Sequence, residues 1–375
     1  MTTDRFPIAT PKNDQIVSRQ IAFFAAFVLP VYKLLEVPSL LARFAAGDLL
    51  LPALLQFLLQ LGTLLGLLYL VSRSEKTLFE RMHERLGKFS VIFYIVYAIY
   101  FLLAAVLPLL DLEKFVYAVF YDTSPTLFSF ALFFIFSAFL CVKGVKAVGR
   151  MADLGPVLFL LPFLALIVMS LVEADVTNLL PFFEKPFGDT VSALKYTTPQ
   201  FSDVLLLLPL LGNLRYQKRD TVKIVTGYSA GAIFTLVFLA VFYGVYSSLA
   251  LREHYAFAKI AQYFPVLAVV GRIDLLFVYL LCAMLFFYVA LPLRHAVDCT
   301  TKIVGTKGKT IISALVNIAA FVFVLFCNKY YNGIYAFFGN KLYWLCALFT
   351  TAASTFFFSL QFIKKRQKRT QKENA

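Results

Sequence analysis

Residues 21–40 read Ile-Ala-Phe-Phe-Ala-Ala-Phe-Val-Leu-Pro-Val-Tyr-Lys-Leu-Leu-Glu-Val-Pro-Ser-Leu. Pro30 and Pro38 interrupt an apolar run that is otherwise suited to a membrane. Each proline removes a helix N–H and presses on a preceding carbonyl, so a helix over Ile16–Phe44 is expected to break between them. Lys33 and Glu36 sit in the interval at i and i+3, where one helix face would let them meet. Ionisable groups at membrane depth are costly and mark function by default. The plain alternative is an interfacial ion pair on a helix that ends early.

Outward from this segment, eight stretches contain no Lys, Arg, Asp or Glu. They are Leu49–Ser72, Phe89–Leu110, Thr123–Val142, Leu154–Val172, Ile224–Leu251, Leu275–Leu293, Thr310–Asn328 and Leu342–Ile363. Their lengths of 19 to 28 residues compare with about 20 needed to cross the hydrocarbon core. Apolar residues make up 61% of the 375 and charged ones 15%, far from the roughly even and quarter shares of soluble domains. In lipid only helices and closed barrels satisfy their backbone groups. Runs this continuous predict helices.

The second interrupted segment is about Val191–Leu214. Thr197-Thr198-Pro199-Gln200-Phe201-Ser202-Asp203 precedes the uncharged run Val204–Leu214, whose helical rise of about 16 Å is half a membrane. The polar stretch then falls near the midplane if Val191–Thr197 forms an outer half-helix. An outer loop before a short tilted helix is the competing account. With Ile16–Phe44 the expected total is ten transmembrane helices, the first and sixth broken, each followed by four full spans. Five is odd, so the second set enters from the opposite face and the repeat is a five-plus-five inverted one. Transporters of that build bind substrate at the midplane, on backbone exposed by discontinuous helices. The expected division is a tail 1–15, one permease domain 16–363 with repeats 16–173 and 186–363, and a basic tail 364–375.

Alternating the ten spans gathers 25 of the 35 Lys and Arg on one side, leaves nine on the other, and keeps Lys33 within a span. The positive-inside rule makes the first side cytoplasmic. Both termini, Arg73–Lys88, Lys143–Arg150, Arg215–Lys223 and Arg294–Lys309 then lie there. The net charge of +14 is therefore topological, and no nucleic-acid partner is expected. Lys364–Arg369 reads as a stop-transfer anchor, with an anionic-lipid contact as the alternative. Met1–Arg19 is polar and lacks the apolar core of a signal peptide.

Cys141, Cys282, Cys299, Cys327 and Cys346 form no C-x-x-C pair, so neither a disulfide framework nor a metal site is expected. No phosphate loop, H-E-x-x-H or G-x-S-x-G occurs. Neither a cofactor nor catalysis is expected, and any transport would be passive or driven by an ion gradient. Tyr94, Tyr97 and Tyr100 recur every three residues, on a face that either lines a pathway or packs. Gly227, Gly231 and Gly244 predict close helix approach on the seventh span. Pro156, Pro162, Pro209 and Pro292 read as tolerated kinks, and His83 as part of a surface helix within Thr77–Lys88.

Several motifs resemble the endospore germination permeases, the B subunits of nutrient germinant receptors. Thr77-Leu78-Phe79-Glu80 with Leu86-Gly87-Lys88 is similar to that family's connection between spans two and three. Lys143–Asp153 resembles its G-x-x-x-x-x-R segment before span five, and Asn178-Leu179-Leu180-Pro181 its N-L-x-P after span five. Leu206-Leu207-Leu208-Pro209 with Arg215–Lys223 is similar to the end of span six, and Gly271-Arg272-Ile273-Asp274 to an E-R-[FIL]-[DE] element. The resemblance implies the amino acid–polyamine–organocation superfamily and a LeuT-like fold. It also implies the spore inner membrane, A and C partner subunits, and a small nutrient, often an amino acid, held at the unwound parts of spans one and six. Relatives commonly carry small residues or glycine at the span-one break, where this chain has Leu29–Glu36.

The expected function is a receptor subunit that binds a small polar nutrient at the midplane and shifts a conformational equilibrium sensed by its partners. Pro30, Val31, Tyr32, Lys33, Glu36, Gln200, Phe201, Ser202 and Asp203 would surround the nutrient's polar groups, with Tyr97 and Phe201 over its apolar part. Lys33 would set the local charge, with Glu36 or Asp203 as partner. The alternatives are an autonomous amino acid or amine carrier, proton-coupled or exchanging, and a structural subunit without a ligand.

Overall fold

The computed structural model describes residues 16–72, 83–84, 86–120, 126–180, 183–214, 216–217, 219–263, 274–305 and 308–330, with isolated positions from 333 to 352. Every regular element among them is helical, and the one pairing of extended backbone is a bridge from Ile16 to Leu214. The first broken segment is α1 (Ser18–Phe23), a π-turn (Phe24–Val28), α2 (Leu29–Lys33) and α3 (Val37–Ala45). Helix α4 (Leu50–Ser72) follows, then α5 (Ser90–Phe120) and α6 (Thr126–Lys143). Next, α7 (Val145–Gly155) and α8 (Leu161–Ser170) are joined by a second π-turn, Pro156–Leu160. The sixth segment is α9 (Phe187–Phe201), a 3-10 turn (Ser202–Leu207) and α10 (Leu208–Gly212). The rest is α11 (Asp220–Tyr246), α12 (Ala256–Tyr263), α13 (Asp274–Val304) and α14 (Lys309–Lys329).

Among the described residues six helices are long and apolar enough to cross a membrane: Val37–Ser72, Gly87–Val116, Val145–Ser170, Asp220–Leu251, Asp274–Val304 and Lys309–Cys327. This is a membrane protein. Of the ten expected spans, the first and sixth are interrupted and offer no single rod, and the fourth contributes the shorter apolar helix Ala131–Lys143. The tenth, Leu342–Ile363, falls largely outside the described residues, as do both tails, Thr77–Glu80 and Gly271–Ile273.

The first break falls inside the expected interval between Pro30 and Pro38, and the second at the end of the expected stretch Thr197–Asp203. Ahead of Pro30 the helix widens into the π-turn, a geometry that absorbs an inserted disruption, and Pro30 takes an early position in α2 where no donor is missed. Pro30, Val31, Tyr32 and Lys33 are therefore helical, and the chain unwinds only at Leu34–Glu36. Lys33 and Glu36 consequently lie on opposite sides of a break, and Lys33 pairs with Asp203, not Glu36. In the sixth segment Pro199 stays inside α9, and the change of winding begins at Ser202. Gln56 of α4 braces α9 ahead of that turn by donating to the Leu194 carbonyl at 2.9 Å and to Thr198 Oγ1 at 2.6 Å.

Two spans outrun the charges that were expected to end them. Helix α5 continues past Leu110 through Asp111, Glu113 and Lys114, and Asp111 is buried. Helix α13 continues past Leu293, so Arg294 and His295, expected in a connection, are buried on a helix instead.

The expected glycine approach is present. A Cβ on Gly227 would lie 2.5 Å from the Ala22 carbonyl oxygen, and one on Gly231 2.6 Å from that of Ala25. No side chain fits between α11 and the first segment there. Tyr94, Tyr97 and Tyr100 all face inward. Near one end of the helices, the Asp48 carboxylate accepts the Phe183 amide at 2.6 Å and the Lys185 amide at 3.0 Å. The Gly244 carbonyl accepts Asn178 Nδ2 at 2.9 Å. At the other end Asp153 accepts Arg19 Nη2 at 3.1 Å and Gln20 Nε2 at 2.8 Å.

Candidate functional site

The two interrupted segments meet at Lys33 and Asp203. Lys33 closes α2 and Asp203 opens the 3-10 turn, so each side chain is delivered by the place where its helix changes winding. The Lys33 ammonium donates to Asp203 Oδ2 and, at 3.4 Å, to the Leu29 carbonyl. It also lies over two rings, 5.5 Å from the centroid of Phe201 and 5.9 Å from that of Phe57. Those rings stand nearly perpendicular, 4.9 Å apart. Lys33 is 1% exposed and Asp203 1%, so this is a desolvated charge pair flanked by ring faces that attract cations.

Buried polar atoms that find no hydrogen-bond partner among the described residues include Asp203 Oδ1 of the pair itself, the Tyr228 hydroxyl, and Gln200 Oε1 three residues before Asp203 in the chain. Tyr228, on α11, lies 6.3 Å from Phe57 by ring centroids and within electrostatic reach of Asp203. Buried polar groups are normally paired, and Asp203 Oδ1 and the Tyr228 hydroxyl depart from that at this junction. Ser202 is already committed, its hydroxyl donating to the Pro199 carbonyl at 2.9 Å.

The main chain at the first break is occupied. The Ala256 amide donates to the Leu35 carbonyl at 3.0 Å and the Phe257 amide to that of Leu34 at 3.2 Å. The N-terminus of α12 thus covers the interval where a ligand's polar groups were expected to meet bare backbone. Glu36 stands at the start of α3 among the charges of His254, Lys114 and Arg43. Tyr255, in the connection before α12, takes a positive φ of 60°. Burial, with Glu36 and Asp111 nearby, pushes its hydroxyl above the ordinary range. Tyr32 turns toward Asp111, donating to Oδ2 at 2.6 Å, and its ring lies 5.5 Å from that of Tyr288.

Of the expected site residues, Lys33, Phe201 and Asp203 converge, with Gln200 and Ser202 next to them in sequence. Tyr32 and Glu36 belong to the neighbouring region beneath α12, and Pro30 and Val31 are packed backbone. Tyr97 stacks on Phe101 at 6.2 Å, and Phe101 lies 5.0 Å from the ring of His295. His295 Nε2 is 3.1 Å from the Leu206 carbonyl. A carbonyl only accepts, so this nitrogen carries the proton, and the Tyr97 face reaches the sixth segment through it.

Phe57, Tyr228, His295 and α12 were missed. Gln56 and Gln60, polar and four apart within α4, carried a signal that this helix faces a polar interior. Phe57 among many apolar residues carried none.

Residues 34–332 match the spore permease family profile, described as spore germination protein. No curated protein matches the chain significantly.

Proposed function

The chain belongs to the spore permease family of spore germination proteins, and on that premise we propose that it is the membrane-embedded sensing subunit of a nutrient germinant receptor. The observation that carries this reading is the Lys33–Asp203 pair. It ties the first broken segment to the sixth, beside the open atoms Asp203 Oδ1, Gln200 Oε1 and Tyr228 Oη. A small polar nutrient that donates hydrogen bonds to those atoms would alter how the two breaks are joined. Ligands shift an equilibrium only through differential interaction with its two states, and this junction is where such a difference would arise. Phe201 and Phe57 would supply apolar contact. The ten-span five-plus-five arrangement, cytoplasmic termini and the division into repeats 16–173 and 186–363 form part of the same proposal, as do A and C partner subunits that receive the signal.

The family is one of permease-like membrane proteins rather than enzymes, and no bond-making step is assigned to the site. The test compares germination of spores carrying the native chain, Asp203→Asn or Tyr228→Phe across a panel of amino acids, sugars and nucleosides. A response to one nutrient that moves to higher concentration in both variants, with the subunits still assembled, supports the reading. An unchanged response in both removes the site from nutrient sensing. Saturable uptake of the same nutrient by vesicles containing this chain alone would instead make it a carrier.

A further inference from the structure

We propose that Asp203, the Leu29 carbonyl and the ring faces of Phe57 and Phe201 form a seat for a primary alkylammonium ion, and that the chain fills this seat with its own Lys33. The inference rests on the reading of this junction as the nutrient site and narrows what the nutrient must bring.

The surroundings of the Lys33 nitrogen are those of a bound amine. It has a carboxylate oxygen and a carbonyl oxygen as acceptors, and two nearly perpendicular rings at 5.5 and 5.9 Å. A carboxylate facing aromatic rings recognises ammonium through charge, hydrogen bonding and the ring quadrupole together. Here the recognised group is tethered. Lys33 lies on α2 and Asp203 170 residues away, so the tether joins the two broken segments. A ligand that had to supply an ammonium would compete with a group whose effective concentration is set by its own backbone. The atoms left open are acceptors and one hydroxyl. The nutrient class that fits beside an occupied ammonium seat is therefore neutral and hydroxyl- or amide-bearing, such as a sugar or nucleoside, rather than an amine.

The seat is tested by emptying it. Lys33→Ala removes Cγ, Cδ, Cε and Nζ, and n-propylammonium consists of the same heavy atoms. The purified full-length variant in neutral detergent is expected to melt several degrees below the native chain. Propylammonium chloride should recover most of that loss saturably, whereas sodium chloride or tetramethylammonium chloride at equal ionic strength should not. Lys33→Met, which fills the volume without charge, should not respond, nor should Lys33→Ala combined with Asp203→Ala. Absence of recovery overturns the seat, as does equal recovery by sodium chloride or recovery that persists without Asp203. If Lys33→Ala yields no folded chain, folded yield is compared with and without propylammonium in the growth medium, and no gain overturns it equally. No nutrient, partner or spore enters these measurements, so the seat and the nutrient-sensing role fail separately.

Discussion

At Leu34–Glu36 the broken backbone is closed by other backbone, whereas at Ser202–Leu207 it is joined to the rest of the molecule by side chains. The first break bends through bonds from the Leu34 and Leu35 amides to the Val31 and Tyr32 carbonyls, and two amides of α12 take up its outward carbonyls. The second keeps its main chain wound as a 3-10 turn. It reaches outward through Asp203 to Lys33 and through the Leu206 carbonyl to His295. On the proposed reading, the first break serves as a mechanical linkage and the second as the place of ligand discrimination.

The sharpest way to break that contrast is to remove the side-chain link. Asp203→Ala leaves the Lys33 ammonium buried without its partner, a loss of about 3–5 kcal/mol for such pairs. It is read from the denaturation midpoint in nanodiscs. Lys33→Met combined with Asp203→Leu should recover most of the loss, because an apolar replacement of both partners leaves no stranded charge. A double variant as unstable as Asp203→Ala would show that the pair does more than neutralise itself.

Next in size is Gly231→Leu. Its Cβ would meet the Ala25 carbonyl and the Pro30 ring, and overpacking of this kind costs about 1–3 kcal/mol. The expected outcome is increased exchange of the α1 and α2 amides with α9 unaffected. Equal loosening of α9 would mean that the two breaks move as one body.

Ala256→Pro deletes the donor to the Leu35 carbonyl, and an unsatisfied buried carbonyl costs about 1–3 kcal/mol. Hydrogen exchange should rise across α12 while the junction at Asp203 holds. The smallest change is His295→Phe, which keeps a ring beside Phe101 but removes the bond to Leu206, about 1 kcal/mol. Its effect should appear as faster exchange at residues 206–210 and not at 34–40.

How much of this was legible follows from which signals are local. Uninterrupted apolar length is local, and it foretold the long helices α4, α5, α6, α11, α13 and α14. Pro30 and Pro199 announced that two segments would be irregular. The unwinding falls within each expected stretch, at Leu34–Glu36 and from Ser202, but how each proline is housed, Pro30 after a π-turn and Pro199 inside α9, depends on neighbours. The pairing of Lys33 with Asp203 rather than Glu36 is a 170-residue contact that sequence spacing could not rank against a separation of three. Ending a span at its first charge concealed Asp111, Arg294 and His295, since a helix packed among helices carries buried charges beyond its apolar run. The cover provided by α12 was not legible at all, because main-chain bonds leave no trace in residue type.

That cover has a consequence for how such a chain can change over time. A contact made by the amides of residues 256 and 257 survives almost any exchange of side chain at those positions, proline excepted. Drift in the residues of this helix can retune how firmly the cover sits without ever erasing it. The carboxylate at 203 has no such insurance: one codon suffices to discard it, and with it the tie to Lys33.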